Sequence, residues 1–311
     1  MQQKQIEEIE LCVYNLENLF IKDALDHPPN LNYFKSPLNL NQLRTVFNEI
    51  NADIYALTEI GYIESLHYFN DKYLANEYEV YHNQGNSDRG IENAFLVRKG
   101  LPFYFEHLSH TEKEIDFTLH DEDETNYFLS RDFSHLRIFK DQEKTQHLMS
   151  LLNVHLKSQR DDDTGHDFRS ARRRKAELEL LIHVYKQECS VYNETPIILC
   201  GDFNGNASSD NTDEEFSSLY SETNLKDVLG LFQLPLEYRT TFYQFVAQTA
   251  HPLQLDYLFI DERFKSQIKD AAVYRYRNSV GKVLGPPRKR SDIWNNPSDH
   301  YPVYVIYKLL K

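Results

Sequence analysis

The feature that most constrains this chain is the recurrence of short apolar runs, each too short for a self-sufficient helix and most bounded by polar residues. They lie at 10–15, 54–59, 94–99, 136–140, 148–156, 196–201, 255–260, 271–276 and 301–309, and they read as β-strands. Between them lie segments of helical period. In 39–50, Leu40, Leu43, Val46, Phe47 and Ile50 share one face, and 169–187 carries Ala171, Ala176, Leu180 and Val184. The order is neither all-β nor a strict strand-helix alternation. It predicts an α/β architecture with a mixed sheet, or two sheets, and helices outside.

No internal repeat, low-complexity tract or Gly/Ser linker interrupts the chain. The acidic stretch 111–126 has little pattern and reads as a loop or excursion rather than a domain boundary. A length of 311 residues allows one large or two small domains; the absence of a linker favours one compact domain over 1–311.

Lys and Arg number 34 against 48 Asp and Glu, a formal charge of −14 that repels polyanions at long range. A bound metal ion or a local basic rim would reverse that sign inside a cleft. Cys12, Cys189 and Cys200 form no CxxC pair, so neither a disulfide framework nor a cysteine zinc site is expected. Cys12 and Cys200 sit in apolar runs and read as small core residues. The N-terminal residues are too acidic for a secretory leader, and no 18-residue apolar stretch occurs. The expectation is a soluble cytoplasmic protein with no membrane span; the sequence assigns no oligomeric state.

Several strand-like runs end alike. ELCVYN closes on Asn15, with Glu17 beyond it; IYALTE closes on Glu59; NVHL carries His155, followed by Lys157. IILCGDFN ends in Asp202 and Asn204, LDYLFI opens on Asp256, and PSDHYPV sets Asp299 and His300 before the last strand. Taken singly, each Asn or Asp is a turn residue, each His a satisfied core or rim residue, and Glu59 a solvated terminus. Their joint occurrence points instead to a shared cleft at the strand ends.

The residue types restrict the chemistry. Asn15, Glu17, Glu59 and Asp299 are oxygen donors of the kind a hard divalent cation takes, and the 13 histidines form no HExxH cluster, so Mg2+ or Mn2+ is expected over zinc. Asp256 could hold the imidazole of His300 and stabilise its charged form. Asp202 would then be free to orient or deprotonate a water.

These segments resemble the endonuclease/exonuclease/phosphatase superfamily, also called deoxyribonuclease-I-like. The resemblance is carried by VYNLENLF (13–20), LTEI (57–60), DRGIENAFLVRKG (88–100), SRD (130–132), LLNVHLKSQR (151–160), GDFN (201–204), LDYLF (255–259) and PSDHYPV (297–303), in the family's order. It is similar in detail to a bacterial-type branch. The resemblance implies a four-layer α/β sandwich of two packed mixed β-sheets flanked by helices, and metal-assisted hydrolysis of a phosphate ester. It implies Glu59 as principal magnesium ligand, assisted by Asn15 and by Glu17 or Asp299. Asp202 would align or activate water with Asn204 beside it, His300 paired with Asp256 would contact the phosphate, and His155 would bind phosphate or serve the leaving group. Arg131, within SRD, joins Lys157, Arg160 and Arg172 as candidate phosphate or substrate contacts. The chain departs from many relatives after GDFN, continuing Gly205-Asn206-Ala207-Ser208, and at Thr58, where Gln is frequent.

Two basic runs bear on the substrate. Residues 160–181 concentrate Arg160, Arg169, Arg172, Arg173, Arg174 and Lys175, and read either as a solvated helix face pairing with Glu177 and Glu179 or as a phosphate-contacting rim. Arg288, Lys289 and Arg290 form a second patch, either a basic loop or part of the cleft. The expected function is a metal-dependent nuclease acting on DNA or RNA. The alternatives are a phosphodiesterase or phosphatase for a small-molecule, nucleotide or lipid phosphate ester, and a non-catalytic binding protein on the same fold.

Overall fold

In the computed structural model, residues 6–26, 34–119, 125–159, 165–210 and 212–309 are described. Two six-stranded sheets pack face to face. The first runs Ile268–Val273, Val303–Lys308, Glu8–Asn15, Ile54–Thr58, Ala94–Arg98, Tyr78–Tyr81; the second runs Leu225–Asp227, Asp256–Asp261, Ile197–Asp202, His147–His155, Ser134–Phe139, Tyr104–Leu108. Each sheet is mixed, with one parallel pair near its centre: Glu8–Asn15 with Ile54–Thr58, and His147–His155 with Ile197–Asp202. All other pairs within these sheets are antiparallel.

Alternation along the strands divides the apolar side chains between two cores. Ile198 and Cys200 face the opposite sheet with Leu258, Ile260 and Leu151, whereas Ile197, Leu199 and Phe203 face outward onto a helix with Leu152, Val154 and Leu156. Helices complete the outer layers. Helix α1, Pro37–Ile50, is capped by Ser36, whose hydroxyl accepts from the Asn39 amide at 3.2 Å, and it ends where Asn51 turns left-handed at φ 56°. It buries Leu40, Leu43, Val46, Phe47 and Ile50 and stacks Phe47 against Tyr55, centroids 4.4 Å apart. Helix α2, Ile63–Tyr73, packs beside it through Phe69 on Phe47. Helix α3, Ala171–Val191, covers the second sheet with Leu178, Leu181 and Ile182. The architecture is the four-layer α/β sandwich.

All nine predicted strands are present, with ends shifted by up to three residues. The missed strands Tyr78–Tyr81, Tyr104–Leu108 and Leu225–Asp227 are sheet edges of three to five residues, too short to show a pattern. The missed hairpin Phe242–Val246 with Thr249–Leu253 lies outside both sheets. Helix α3 starts later than its period predicts because Arg169 and Ser170 both have positive φ. The stretch 111–126 is not a bare excursion: Glu114–Ile115 pairs with Tyr127–Phe128, and Ile115 and Phe117 are buried against the second core. Cys12 and Cys200 are free, buried thiols, Cys200 between the sheets and Cys12 on the face of the first sheet that helix α1 covers.

Gly201 shows how tightly the second sheet is drawn together. Its φ is 123°, and a Cβ there would lie 2.0 Å from the Val154 carbonyl oxygen of the parallel neighbour. Gly201→Ala should therefore cost at least about 2 kcal/mol through strain and displaced pairing, read as a lower urea midpoint.

Half-buried histidines lie on both faces of the second sheet. On the inner face His107 Nε2 lies 2.7 Å from Ser134 Oγ; on the outer face His110 Nε2 lies 3.3 Å from His135 Nδ1 and His147 Nε2 2.8 Å from Ser150 Oγ. Glu188 sits among the outer group and accepts from Arg137 Nε and Nη2 at 2.8 and 2.7 Å. Burial lowers the pKa of His107 to about 4, of His110 to about 3 and of His147 to about 4. In the unfolded chain a histidine titrates near 6.5. Between about pH 6.5 and 4 these histidines in the unfolded state thus take up protons that the folded state refuses, so their contribution to stability falls as pH falls through this window. Carboxyls raised toward neutrality, Asp202 and Asp299 among them, act in the opposite sense, so the histidine contribution is read by difference: the urea midpoint of His110→Gln relative to that of the native protein should rise as pH falls from 7 to 4.

Candidate active site

Strand register brings the polar termini together. Asp202 pairs directly with His155 on one side and Asp256 on the other, and Asn15 pairs with Thr58, the residue before Glu59. Asp202, His155 and Asp256 each follow the alternation of residues facing the opposite sheet, so they open between the sheets at one end of the sandwich. His300 reaches the same place through the segment before Val303–Lys308, by a bridge to Phe242.

Asp202 is buried and held on both oxygens. Oδ2 accepts from Asn15 Nδ2 at 2.9 Å and Oδ1 from the Asn204 amide at 2.8 Å. The Asn204 side chain donates to the Leu156 carbonyl at 3.0 Å. His300 Nδ1 lies 2.8 Å from Asp256 Oδ2, and its Nε2 lies 3.9 Å from Asp202 Oδ2. The Asp256 amide, with that of Leu255, donates to Thr241 Oγ1 at 3.1 and 2.9 Å. The His300 amide donates to Ser298 Oγ, which itself donates to the Asn15 carbonyl, tying the last loop to the first strand. His155 Nε2 stands 3.7 Å from both Asp202 Oδ2 and Glu59 Oε1, and its Nδ1 is buried without a partner.

The electrostatics separate these groups. Burial, with the repulsion of Asp256 behind it, raises Asp202 to about 7 against the pull of His300, Asn204 and Asn15. Burial opposes charge on His300, yet Asp256, Asp202 and Asp299 carry it well above the usual imidazole range. Burial, then the cations Arg131, His300 and Arg89, hold His155 well below that range, as a neutral ring. The unpartnered Nε and Nη1 of Arg131 are buried beside it.

A second group lies where the first strand leaves the sheet. Glu59 Oε2 accepts from the Asn18 amide at 3.0 Å, the Glu17 amide donates to Asn15 Oδ1 at 2.9 Å, and Lys35 Nζ meets Glu17 Oε2 at 3.2 Å. Burial raises Asp299 to about 7; His300 opposes this, while the carboxylates of Glu17 and Glu59 add to it. Carboxylates that repel one another around a set of oxygen donors fit a hard divalent cation. Asp202, Asp256 and His300 also bring ligand atoms within 4.8 Å of one another. That trio is closed by the hydrogen bond from imidazole to carboxylate, and among the described residues Glu17, Glu59 and Asp299 do not draw together to that distance. Glu17, Asn18, Glu59 and Asn204 all have φ between 50° and 56°. Such left-handed backbone is unfavourable for side-chain-bearing residues and persists here because the hydrogen bonds above fix it.

A cavity of about 310 Å³ opens over these groups, walled by Glu59, His155, Asp202, Asn204, His300 and Arg131. Arg89 joins the wall from DRGI, and Phe242 tilts over His300 with centroids 4.9 Å apart. Sequence reasoning passed over both. It also passed over Asn153, whose Nδ2 crosses between the sheets to the Leu57 carbonyl at 2.8 Å; the signal was a lone amide inside the apolar run LLNVHL.

The other basic candidates lie elsewhere. Arg172 donates to the Thr118 carbonyl at 3.0 Å and lies over the Phe117 ring, away from the cavity wall. Lys157 is tied through its backbone, its amide to Glu177 Oε2 and its carbonyl to Arg174, and its side chain is not part of the wall. Arg160 lies outside the described residues. Of that run, residues 165–181 form neither a wholly solvated face nor a rim. Arg174 is 2% exposed and paired with Glu215 at 2.5 Å, while Glu177, also buried, accepts from Ser130 Oγ at 2.9 Å. Gly205-Asn206-Ala207 packs inward on Phe216 and Tyr257, so the unusual continuation of GDFN shapes the support behind Asp202.

Among solved structures, the chain is similar to D. rerio TDP2 complexed with a single-stranded DNA product, with TM-score 0.58, 16% identity, and coverage of 97% of this chain and 99% of that one. It is likewise similar to the human Nocturnin catalytic domain with bound sulfate, with TM-score 0.57, 14% identity, and coverage of 98% and 97%. A third similar structure is the mannosyl-6-phosphatase of Bacteroides thetaiotaomicron, with TM-score 0.55, 16% identity, and coverage of 97% and 100%. No curated protein matches the chain by sequence. The profile of the Endonuclease/Exonuclease/phosphatase family matches residues 21–300, and the chain belongs to that family.

Proposed function

We propose that residues 1–311 act as one Mg2+- or Mn2+-dependent phosphodiester hydrolase, a nuclease cleaving DNA or RNA by attack of water on phosphorus. The observation that carries this reading is His300, held by Asp256 at 2.8 Å and facing Asp202 across a cavity that also holds Arg131 and Arg89. Glu59 would hold the cation, with Asn15, Glu17 and Asp299 as assisting oxygen donors. Bound there, it would supply Lewis-acid polarisation of a phosphate oxygen.

The chain's own groups divide the remaining work. Asp202, poised near neutrality and fixed by Asn15 and Asn204, orients the attacking water and accepts its proton. His300 keeps Nδ1 on Asp256, so its Nε2 proton faces the phosphate and stabilises the charge that grows on it. Arg131 offers two unpartnered donors to the phosphate oxygens, and neutral His155 offers Nε2 to a phosphate or leaving-group oxygen. A second reading, a small phosphate ester as substrate, is favoured by the net charge of −14. It is also favoured by the likeness to a mannosyl-6-phosphatase. Salt separates the two, because polyanion binding weakens steeply with ionic strength and small-substrate binding much less.

Plasmid DNA, RNA, bis-p-nitrophenyl phosphate and p-nitrophenyl phosphate assayed side by side should show turnover with Mg2+ or Mn2+ and none with a chelator. Asp202→Asn and His300→Ala should each lower kcat by roughly 10²- to 10³-fold without moving the unfolding midpoint by a comparable amount. Retained activity in either variant would remove the assignment. Arg131→Ala should cost more activity than Arg172→Ala, whose guanidinium is spent on the Thr118 carbonyl.

A further inference from the structure

A second cleft, about 620 Å³, adjoins the one over His300 and is twice its volume. Asn18 lines both, and Glu17 and Asp299 form the near wall of the larger one. The far wall carries Trp294, the chain's single tryptophan, 72% exposed, beside Ile293 and Arg290. An exposed indole at the mouth of a cleft is a costly surface to leave in water, and it sits where a substrate leaving the proposed cation site would run.

We propose that this cleft is a stacking subsite for a nucleobase of a single-stranded nucleic acid whose scissile phosphate lies in the adjoining cavity; this rests on the phosphoesterase reading above. The polar groups of the cleft discriminate between ligands. Lys35 is committed to Glu17 and to the Pro297 carbonyl, and the Asn39 amide to the Asn296 carbonyl and Ser36. A sugar recognised through its hydroxyls needs several directed donors and acceptors; Lys35 and Asn39 are already paired within the protein, and Asn18 Oδ1, buried without a partner, is a lone acceptor on the side shared with the cavity over His300. The rest of the cleft offers a flat indole face, the apolar edge of Ile293, and the guanidinium of Arg290, which pairs with no carboxylate among the described residues. That combination is the chemistry of sequence-tolerant base stacking beside a phosphate contact. Arg288 and Lys289 next to it make the approach locally cationic on an acidic chain.

The single tryptophan makes the test direct. In Asp202→Asn protein with Mg2+, where a bound strand stays intact, a short single-stranded oligonucleotide should quench tryptophan fluorescence saturably. Trp294→Ala should lower kcat/KM for the oligonucleotide relative to that for bis-p-nitrophenyl phosphate by roughly 10- to 100-fold, the scale of one stacked base, chiefly through KM. Trp294→Phe should restore most of the ratio, and Arg290→Ala should reduce the slope of log affinity against log salt by about 1. A ratio unmoved by Trp294→Ala, or fluorescence that answers to a hexose phosphate and not to the oligonucleotide, overturns the subsite. Lack of turnover on every phosphate ester by the native protein would instead overturn the proposed activity, while the fluorescence titration would still decide the subsite.

Discussion

The parallel pairing of His147–His155 with Ile197–Asp202 is the constraint on which the site depends. A parallel pair ends both strands at the same edge, so the two C-terminal residues, His155 and Asp202, arrive level. The antiparallel neighbour Asp256–Asp261 begins at that edge and sets Asp256 opposite Asp202. The first sheet repeats the arrangement, with Asn15 level with Thr58 and the last strand entering from the same side behind His300. A slip of one residue in either pair would turn the polar group out of the space between the sheets. Asn153, Gly201 and the Asn15–Asp202 hydrogen bond oppose such a slip by locking one sheet to the other or one strand to its neighbour.

Helix α3 fixes the loops that the strands leave free. The buried Arg174 guanidinium holds the carbonyls of Lys157 and Arg169, and the buried Glu177 carboxylate holds the Lys157 amide and Ser130. One helix turn therefore positions both the segment after His155 and the segment that carries Arg131. Burying these charges is tolerable because Arg174 has Glu215 and Glu177 has several donors; removal of one partner would leave an uncompensated charge in the interior. Similar fixing accounts for the left-handed backbone at Glu17, Asn18, Glu59 and Asn204, where the site is assembled in a conformation the chain would not hold alone.

How far the site was legible depended on the kind of signal each residue left. Asp202, Asn204, Glu59, His155, Asp256 and His300 were readable because a polar residue ending an apolar run is a local pattern, and the ordered motifs gave it a family. Thr241 left no mark and Asn153 only a lone amide inside an apolar run, since their roles are to bond backbone groups brought near by tertiary packing. Arg172 and Arg174 were misread together: a run of arginines records charge but not which side chain the helix turns inward, and α3 buries Arg174 while Arg172 lies on the Phe117 ring. The edge strands were lost for the related reason that a few half-exposed residues carry no period.

The charge balance of the site follows from where these side chains point. A chain of net charge −14 gathers Glu17, Glu59, Asp202, Asp256 and Asp299 at one end, an arrangement that by itself repels phosphate. His300 and Arg131, with Arg89, answer from the cavity side, and Lys35 answers from the other. The carboxylates remain in excess of these cations, and burial first, then the repulsion of neighbouring carboxylates, displaces Asp202 and Asp299 upward toward neutrality. A divalent cation placed among Glu17, Glu59 and Asp299 would relieve that repulsion and make the cavity attractive to an anion. An acidic chain and an anionic substrate are therefore compatible: the local acidity that would exclude a phosphate ester is also what would recruit the cation that admits it.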